Sequence, residues 1–315
     1  MSAGQLNQVV VGKETTWGTP VTPNKAIPVR FTGGIQTDID LQAISPVKAT
    51  IAKDHDTFKG AQTHEGSFEM DFFPDNCGYF LISAMGGISS ALKGGESIVY
   101  NHTITEAETK MALTVEQVVG ENVRRYAGSI VESFKISGKV GEAIALEANL
   151  KAKSQASATK VTPSYLTARP WNWADATVKI GGVSQTNVIA FELEYNNNID
   201  FVHALNASND PAFNVIKGSE VKGKIEFYLD ATSLAELNDY LAKTNNALAI
   251  ELVGDAIGVG SNNKLVVTVP KIYYTKGETP INEEFNKLTL EFQGVYDTAT
   301  SKLLDMVLTN LVTAY

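Results

Sequence analysis

The chain has 315 residues, enough for roughly two domains of about 150 residues with real cores. Its net charge of −9 argues against a generic basic surface for gripping nucleic acid, and its single cysteine excludes an intramolecular disulfide. No run approaches the ~18 uninterrupted apolar residues of a membrane span, and residues 1–8 show no basic region leading into an apolar stretch, so neither membrane nor secretory leader is expected.

In chain order, residues 1–26 are rich in Gly, Thr and Pro and are predicted to form an extended arm, because proline fixes φ and pushes its predecessor toward extended geometry. Strands are predicted at 27–32, up to the turn Gly33-Gly34, and at 35–44. A long, poorly alternating stretch, 45–65, precedes a strand at 67–73 and a helix near 76–84. Strands follow at 112–118, 130–137 and 142–150, the last two flanking the turn Gly138-Lys139-Val140-Gly141. After a linker, strands resume at 176–180 and 189–197, then a second long stretch, 201–220. The strand from Gly223 leads into a helix whose start is signalled by a capping box, Ser233 with Glu236, and whose apolar stripe is Leu234, Leu237 and Leu241. Further strands are expected at 248–253, 264–274, 288–293 and 305–315.

One pattern occurs twice, half a chain apart. Gly66-Ser67-Phe68-Glu69-Met70-Asp71 and Gly223-Lys224-Ile225-Glu226-Phe227-Tyr228 each alternate apolar with polar and run into a helix, and three strands follow in the same order. The expected fold is mainly β with minor α: two tandem related β-sandwich or barrel domains, each with one flanking helix. The arm is 1–26, the first domain 27–155, the linker 156–174 and the second domain 175–315. Structureless stretches as long as 45–65 and 201–220 are usually functional or interfacial.

Little in the chain suggests catalysis or a cofactor. His55, His64, His102 and His203 lack metal-ligand spacing, and Gly12-Lys13-Glu14 lacks the rest of a phosphate loop. Cys77 lies on the apolar first helix and reads as a small hydrophobe. The patterned polar feature is acidic: Glu69 with Asp71, and Glu226 with Asp230, each pair assigned to one face of its strand. The ordinary reading is the solvated side of a half-buried sheet, although paired carboxylates can also serve glycoside hydrolysis. Trp17, Trp171 and Trp173 lie in the arm and linker and read as anchors.

Three segments carry a family resemblance. Gly12-Lys13-Glu14-Thr15-Thr16-Trp17-Gly18-Thr19-Pro20 is similar to the Gly-x-Glu-x-x-aromatic-Gly-Thr opening of the tail tube (major tail) proteins of long-tailed bacteriophages. Arg125-Tyr126-Ala127-Gly128-Ser129-Ile130-Val131-Glu132-Ser133-Phe134 resembles their Tyr-x-Gly-x-x-x-x-Ser strand, and Asn310-Leu311-Val312-Thr313-Ala314-Tyr315 their Asn-x-x-x-x-Tyr segment. The resemblance implies a non-enzymatic virion protein, assembled in the host cytoplasm, whose rings stack into a hollow tube for DNA. Ring closure by three copies with pseudo-sixfold symmetry is preferred, with a hexamer as the other version. Partners would be the chain itself, a tape measure protein and tail-terminal proteins, with DNA passing unread. Lumen-facing acids would be Glu69, Asp71, Glu226 and Asp230, and arm or ring-to-ring contacts Trp17, His55, Phe58, Phe201 and His203. The competing reading is a carbohydrate-binding or adhesive β-sandwich.

Overall fold

The computed structural model describes residues 7–165, 168–206, 208–280 and 286–315. The chain is mainly β, with two α-helices among the described residues. The first half runs β1 (Gln8–Lys13), β2 (Lys25–Ile27), β3 (Val29–Ile44), β4 (Asp56–Asp71), α1 (Gly78–Met85), β5 (Gly86–Leu92), β6 (Tyr100–Glu106), β7 (Leu113–Val119), β8 (Asn122–Lys139), β9 (Ala145–Ala152) and β10 (Ser154–Ser157). The second runs β11 (Ala176–Ile180), β12 (Val183–Gln185), β13 (Val188–Asn196), β14 (Ile199–Val202), β15 (Phe213–Ile216), β16 (Glu220–Tyr228), α2 (Ala231–Ala242), β17 (Asn246–Gly258), β18 (Ser261–Glu278), β19 (Lys287–Gly294) and β20 (Asp305–Asn310). The segment expected as an arm thus carries β1 and β2, with Val9, Val10 and Val11 buried.

Strict alternation builds the sheets. In β9, Leu146, Ala148 and Leu150 face the core while Glu147, Asn149 and Lys151 face away. An inner layer pairs in the order β3–β4–β9–β8 and continues β13–β16–β19–β18, every neighbour antiparallel. The seam between the halves runs from Ser133↔Asn196 to Lys139↔Ala190. Outer layers pair as β2–β1–β7–β8–β10 and as β12–β11–β17–β18–β20–β6–β5. β8 and β18 are long enough to serve both layers, and β8 turns between them near Gly128, whose φ is 64°. The pairing order of the first half recurs in the second. The exception is the β5–β6 hairpin, which belongs to the first half in sequence but extends the outer layer of the second.

The helices differ. All eight residues of α1 are buried, between β6 and β8. α2 departs from its sequence reading: its N-cap is Asp230, which accepts from Thr232 N and Ser233 N, and Ser233 completes the box from within the first turn. Ser233 and Glu236 are the buried residues of α2, Glu236 accepting from Tyr274 Oη at 2.6 Å, while Leu234 and Leu241 are exposed. Of the expected stripe, Leu237 packs against the core while Leu234 and Leu241 face outward. The expected linker is stitched down: β10 pairs with β8, and Trp171 is buried with its ring centroid 4.9 Å from that of Phe72.

Candidate functional site

The motifs quoted from distant parts of the sequence meet in space. Glu14, buried just after β1, accepts hydrogen bonds from Gly18 N at 2.8 Å, Gly128 N at 2.8 Å and Thr114 Oγ1 at 2.7 Å. Burial outweighs these donors and raises the Glu14 pKa above the usual carboxylate range. The Trp17 indole donates to Gly128 O at 3.0 Å, Lys153 lies 4.3 Å above its ring, and the Phe201 ring meets it edge-on at 5.6 Å. The opening motif and the Tyr-x-Gly strand are therefore one clasp around a glycine that no side chain could replace without strain. The third motif locks α1. Asn310 donates to Pro74 O at 2.7 Å and accepts from Val312 N, while the Tyr315 hydroxyl donates to Asp75 O at 2.6 Å from a buried position.

A polar seal crosses the seam between the halves. Asn197, fully buried, donates to Ala84 O at 2.8 Å and Val131 O at 2.9 Å and accepts from Tyr195 Oη at 3.0 Å. Lys110 donates to Met85 O at 3.2 Å and sits 3.4 Å from Tyr195 Oη, and burial pulls its pKa down to about 8 against the opposing pull of Glu106. A lysine depressed in the folded state contributes stability above its unfolded value and loses it as pH falls through the folded one. Raising the pH from 7.5 to 9.5 should therefore stabilise the wild type relative to Lys110→Met by about 2 kcal/mol, measured as guanidinium unfolding midpoints of both proteins. The comparison isolates Lys110, because Cys77, pushed up to about 12 by burial, acts oppositely above pH 9 in both. A pH-independent difference would refute the role.

The acids proposed from the sequence are only partly brought together. Glu69 and Asp71 share the face of β4 opposite Phe68, Met70 and Phe72, and Arg30 of β3 binds both, Asp71 at 2.8 Å. Glu226 shares that face of the inner layer, bound to Lys224 at 3.0 Å. Asp230 does not: β16 ends at Tyr228, and Asp230 is spent on the helix cap and on Asn187. Lys135–Glu147, Lys222–Glu220 and Lys276–Glu278, each at 2.7 Å, complete the face. It is an interleaved ladder of opposite charges rather than an acidic wall. Exposed pairs of this kind add little stability, so what they set is the charge the surface presents.

The proposed contact residues fall into two groups. Trp17, Phe201 and His203 bind the halves to one another, His203 Nε2 lying 3.0 Å from Gln62 O. The β14–β15 hairpin clasps β4 further, through Asn209 Nδ2 to Gly60 O at 2.7 Å and Asp210 to His64 at 3.2 Å. Phe58 and His55 lie farther out on the β3–β4 hairpin, Phe58 exposed and His55 Nε2 buried without a partner.

The inner layer has two unpaired edges. Among the described residues β3 pairs only with β4, and the 273–278 end of β18 pairs only with β19. The matching end of β8 has β13 on its other side. Such edges invite pairing with another chain. Among the described residues no group of three or more His, Cys, Asp or Glu could hold a metal, and no helix is long and apolar enough to cross a membrane.

No curated protein matches the chain. A family model described as phage tail tube protein matches residues 4–294, nearly the whole length, and the chain belongs to that family.

Proposed function

We propose that this protein polymerises as rings of three copies, stacked into a hollow tail tube that conducts DNA into the host. The observation that carries this reading is the β8–β13 seam, which makes each chain one eight-stranded inner sheet with a free strand at either side. The halves repeat one pairing order, as a duplicated tube domain would, so the seam inside a chain is a pattern for the seam between chains. β18 of one copy accepts β3 of the next, and edges hazardous in a monomer become joints. Three copies close a barrel of roughly 24 strands, more than the ~16–18 of porins, which already enclose an aqueous channel.

The charged ladder lines the bore in this arrangement. Glu69, Asp71 and Glu226, each already bound to Arg30 or Lys224, leave a surface that neither grips phosphates nor strongly expels them. Before ejection the bore holds a tape measure protein, and tail-terminal proteins meet the tube ends. Assembly takes place in the host cytoplasm.

Negative-stain electron microscopy of the purified protein across a concentration series tests the reading. Hollow filaments with a regular axial repeat and threefold end views are expected. Sixfold end views with six chains per ring by native mass spectrometry would overturn the copy number. Solutions that stay monomeric at every concentration would count against the tube itself.

A further inference from the structure

The inner sheet has a direction. The Ile44 end of β3, the Asp56 end of β4 and the β14–β15 hairpin lie at one rim; Val29, Asp71, Lys139, Val188 and Tyr228 lie at the other. At the first rim the β3–β4 hairpin overshoots the sheet. Residues 56–63 of β4 have no partner in β9, and at ~3.3 Å per residue they carry the tip roughly 25 Å outward. On that tip Val47 and Ile51 are fully exposed, and Lys48 and Lys53 form no ion pair among the described residues.

At the opposite rim lies a 460 Å³ cavity, lined by Lys139, Trp173, Val178, Gln185, Asn187 and Phe191. Two acceptors in this lining are buried without hydrogen-bond partners, Gln185 Oε1 and Asn187 Oδ1, although both amide nitrogens are used within the chain. Orphaned buried acceptors are rare and costly, and they call for a donor from outside. Apolar side chains make up much of the remaining wall, with Val140 and Trp173 exposed at the opening and Ser184 and Thr186 also lining it.

We propose that this cavity is a socket for the β3–β4 hairpin tip of a second copy of the chain, one ring along the tube. The inference rests on the ring-and-tube reading above and names the residues of its axial joint. Val47 and Ile51 fill the apolar walls, and an ammonium of Lys48 or Lys53, a group with donors only, supplies the hydrogen bonds that Gln185 and Asn187 lack. Plug and socket lie at opposite rims of one molecule, so each copy binds the next head to tail. Such a contact propagates without closing.

The test uses full-length protein. Single variants Val47→Cys and Ile51→Cys are each mixed with Ser184→Cys or Thr186→Cys, oxidised mildly, and the linked peptides are identified by mass spectrometry. These positions are exposed in the chain or line the cavity mouth, and Cys77 is buried and inert. A disulfide between tip and socket is expected in at least one mixture, appearing only at concentrations at which tubes sediment. Tubes that sediment with no tip-to-socket disulfide in any of the four mixtures would overturn the socket while leaving the tube intact. Wild-type protein that never forms tubes would instead sink the reading beneath it. In parallel, Ile51→Asp should raise the concentration needed for tubes at least tenfold with ring mass unchanged; an unchanged threshold refutes the plug.

Discussion

Replacing Glu14 by alanine is expected to lower the unfolding free energy by about 4 kcal/mol and to loosen Trp17. The carboxylate holds three donors, two of them backbone N–H groups, in a buried pocket. Truncation leaves Gly128 N and Thr114 Oγ1 inside with no acceptor, at about 1–3 kcal/mol each. Relaxation offers little relief, because a side chain at Gly128 would begin 3.0 Å from the Trp17 indole nitrogen. Glu14→Gln keeps the shape and one acceptor and should lose about half as much. Guanidinium unfolding gives the energies, and a red shift in tryptophan emission reports release of the Trp17 ring. Glu14→Ala within 1 kcal/mol of the wild type, with unchanged emission, would show that the clasp is decorative.

Asn197→Ala should have an effect of similar size by a different route. Its amide caps Ala84 O near the end of α1 and Val131 O in the irregular part of β8 from the other half of the chain. Its loss strands both carbonyls, while the Tyr195 hydroxyl keeps Glu106 as an acceptor. A loss of about 4 kcal/mol corresponds to a fall in Tm of roughly 6 °C for a chain of this size. Because the bonds cross the seam, the halves should also lose cooperativity, and the single calorimetric transition should broaden or split. A small shift with one sharp transition would mean that the β8–β13 ladder alone couples the halves.

Both helices and most of the longer strands were legible in the sequence, because periodic alternation is a local property. Glu69 and Asp71 were correctly placed on one face for the same reason. The strands β5, β6, β14 and β15 were not legible, and the stretches 45–65 and 201–220 carry the start of β4 and most of the β14–β15 hairpin. The last strand ends at Asn310 rather than at residue 315. What that reasoning missed was Arg30, thirty-nine residues before Glu69, since a cross-strand partner depends on register rather than on spacing. Asp230 was misassigned because alternation was carried past Tyr228, where the chain had already turned to cap α2. Ser233, three residues on, imitates a cap so closely that only the backbone decides between them. Of the three leucines Leu234, Leu237 and Leu241 only Leu237 packs on the core, because periodicity shows that side chains share a face and not what covers it. The Glu14–Gly128 clasp left a trace of another kind. Both of its parts were singled out as family motifs, and their contact spans more than a hundred residues of intervening chain.

The contacts of residues 305–315 also bear on how the molecule comes off the ribosome. β20 is the strand that ties β6 to β18, and Tyr315 packs against Tyr79 on α1. Everything these residues secure is synthesised before them. A nascent chain can collapse its first half early, since domains tend to fold as they emerge. It cannot close the cover over α1, or dock the β5–β6 hairpin, until residue 315 has cleared the exit tunnel. Translation thus sets a clock on the protein. A chain that has not yet made residues 305–310 lacks the strand that braces β18 against β6, so this part of the outer layer matures late.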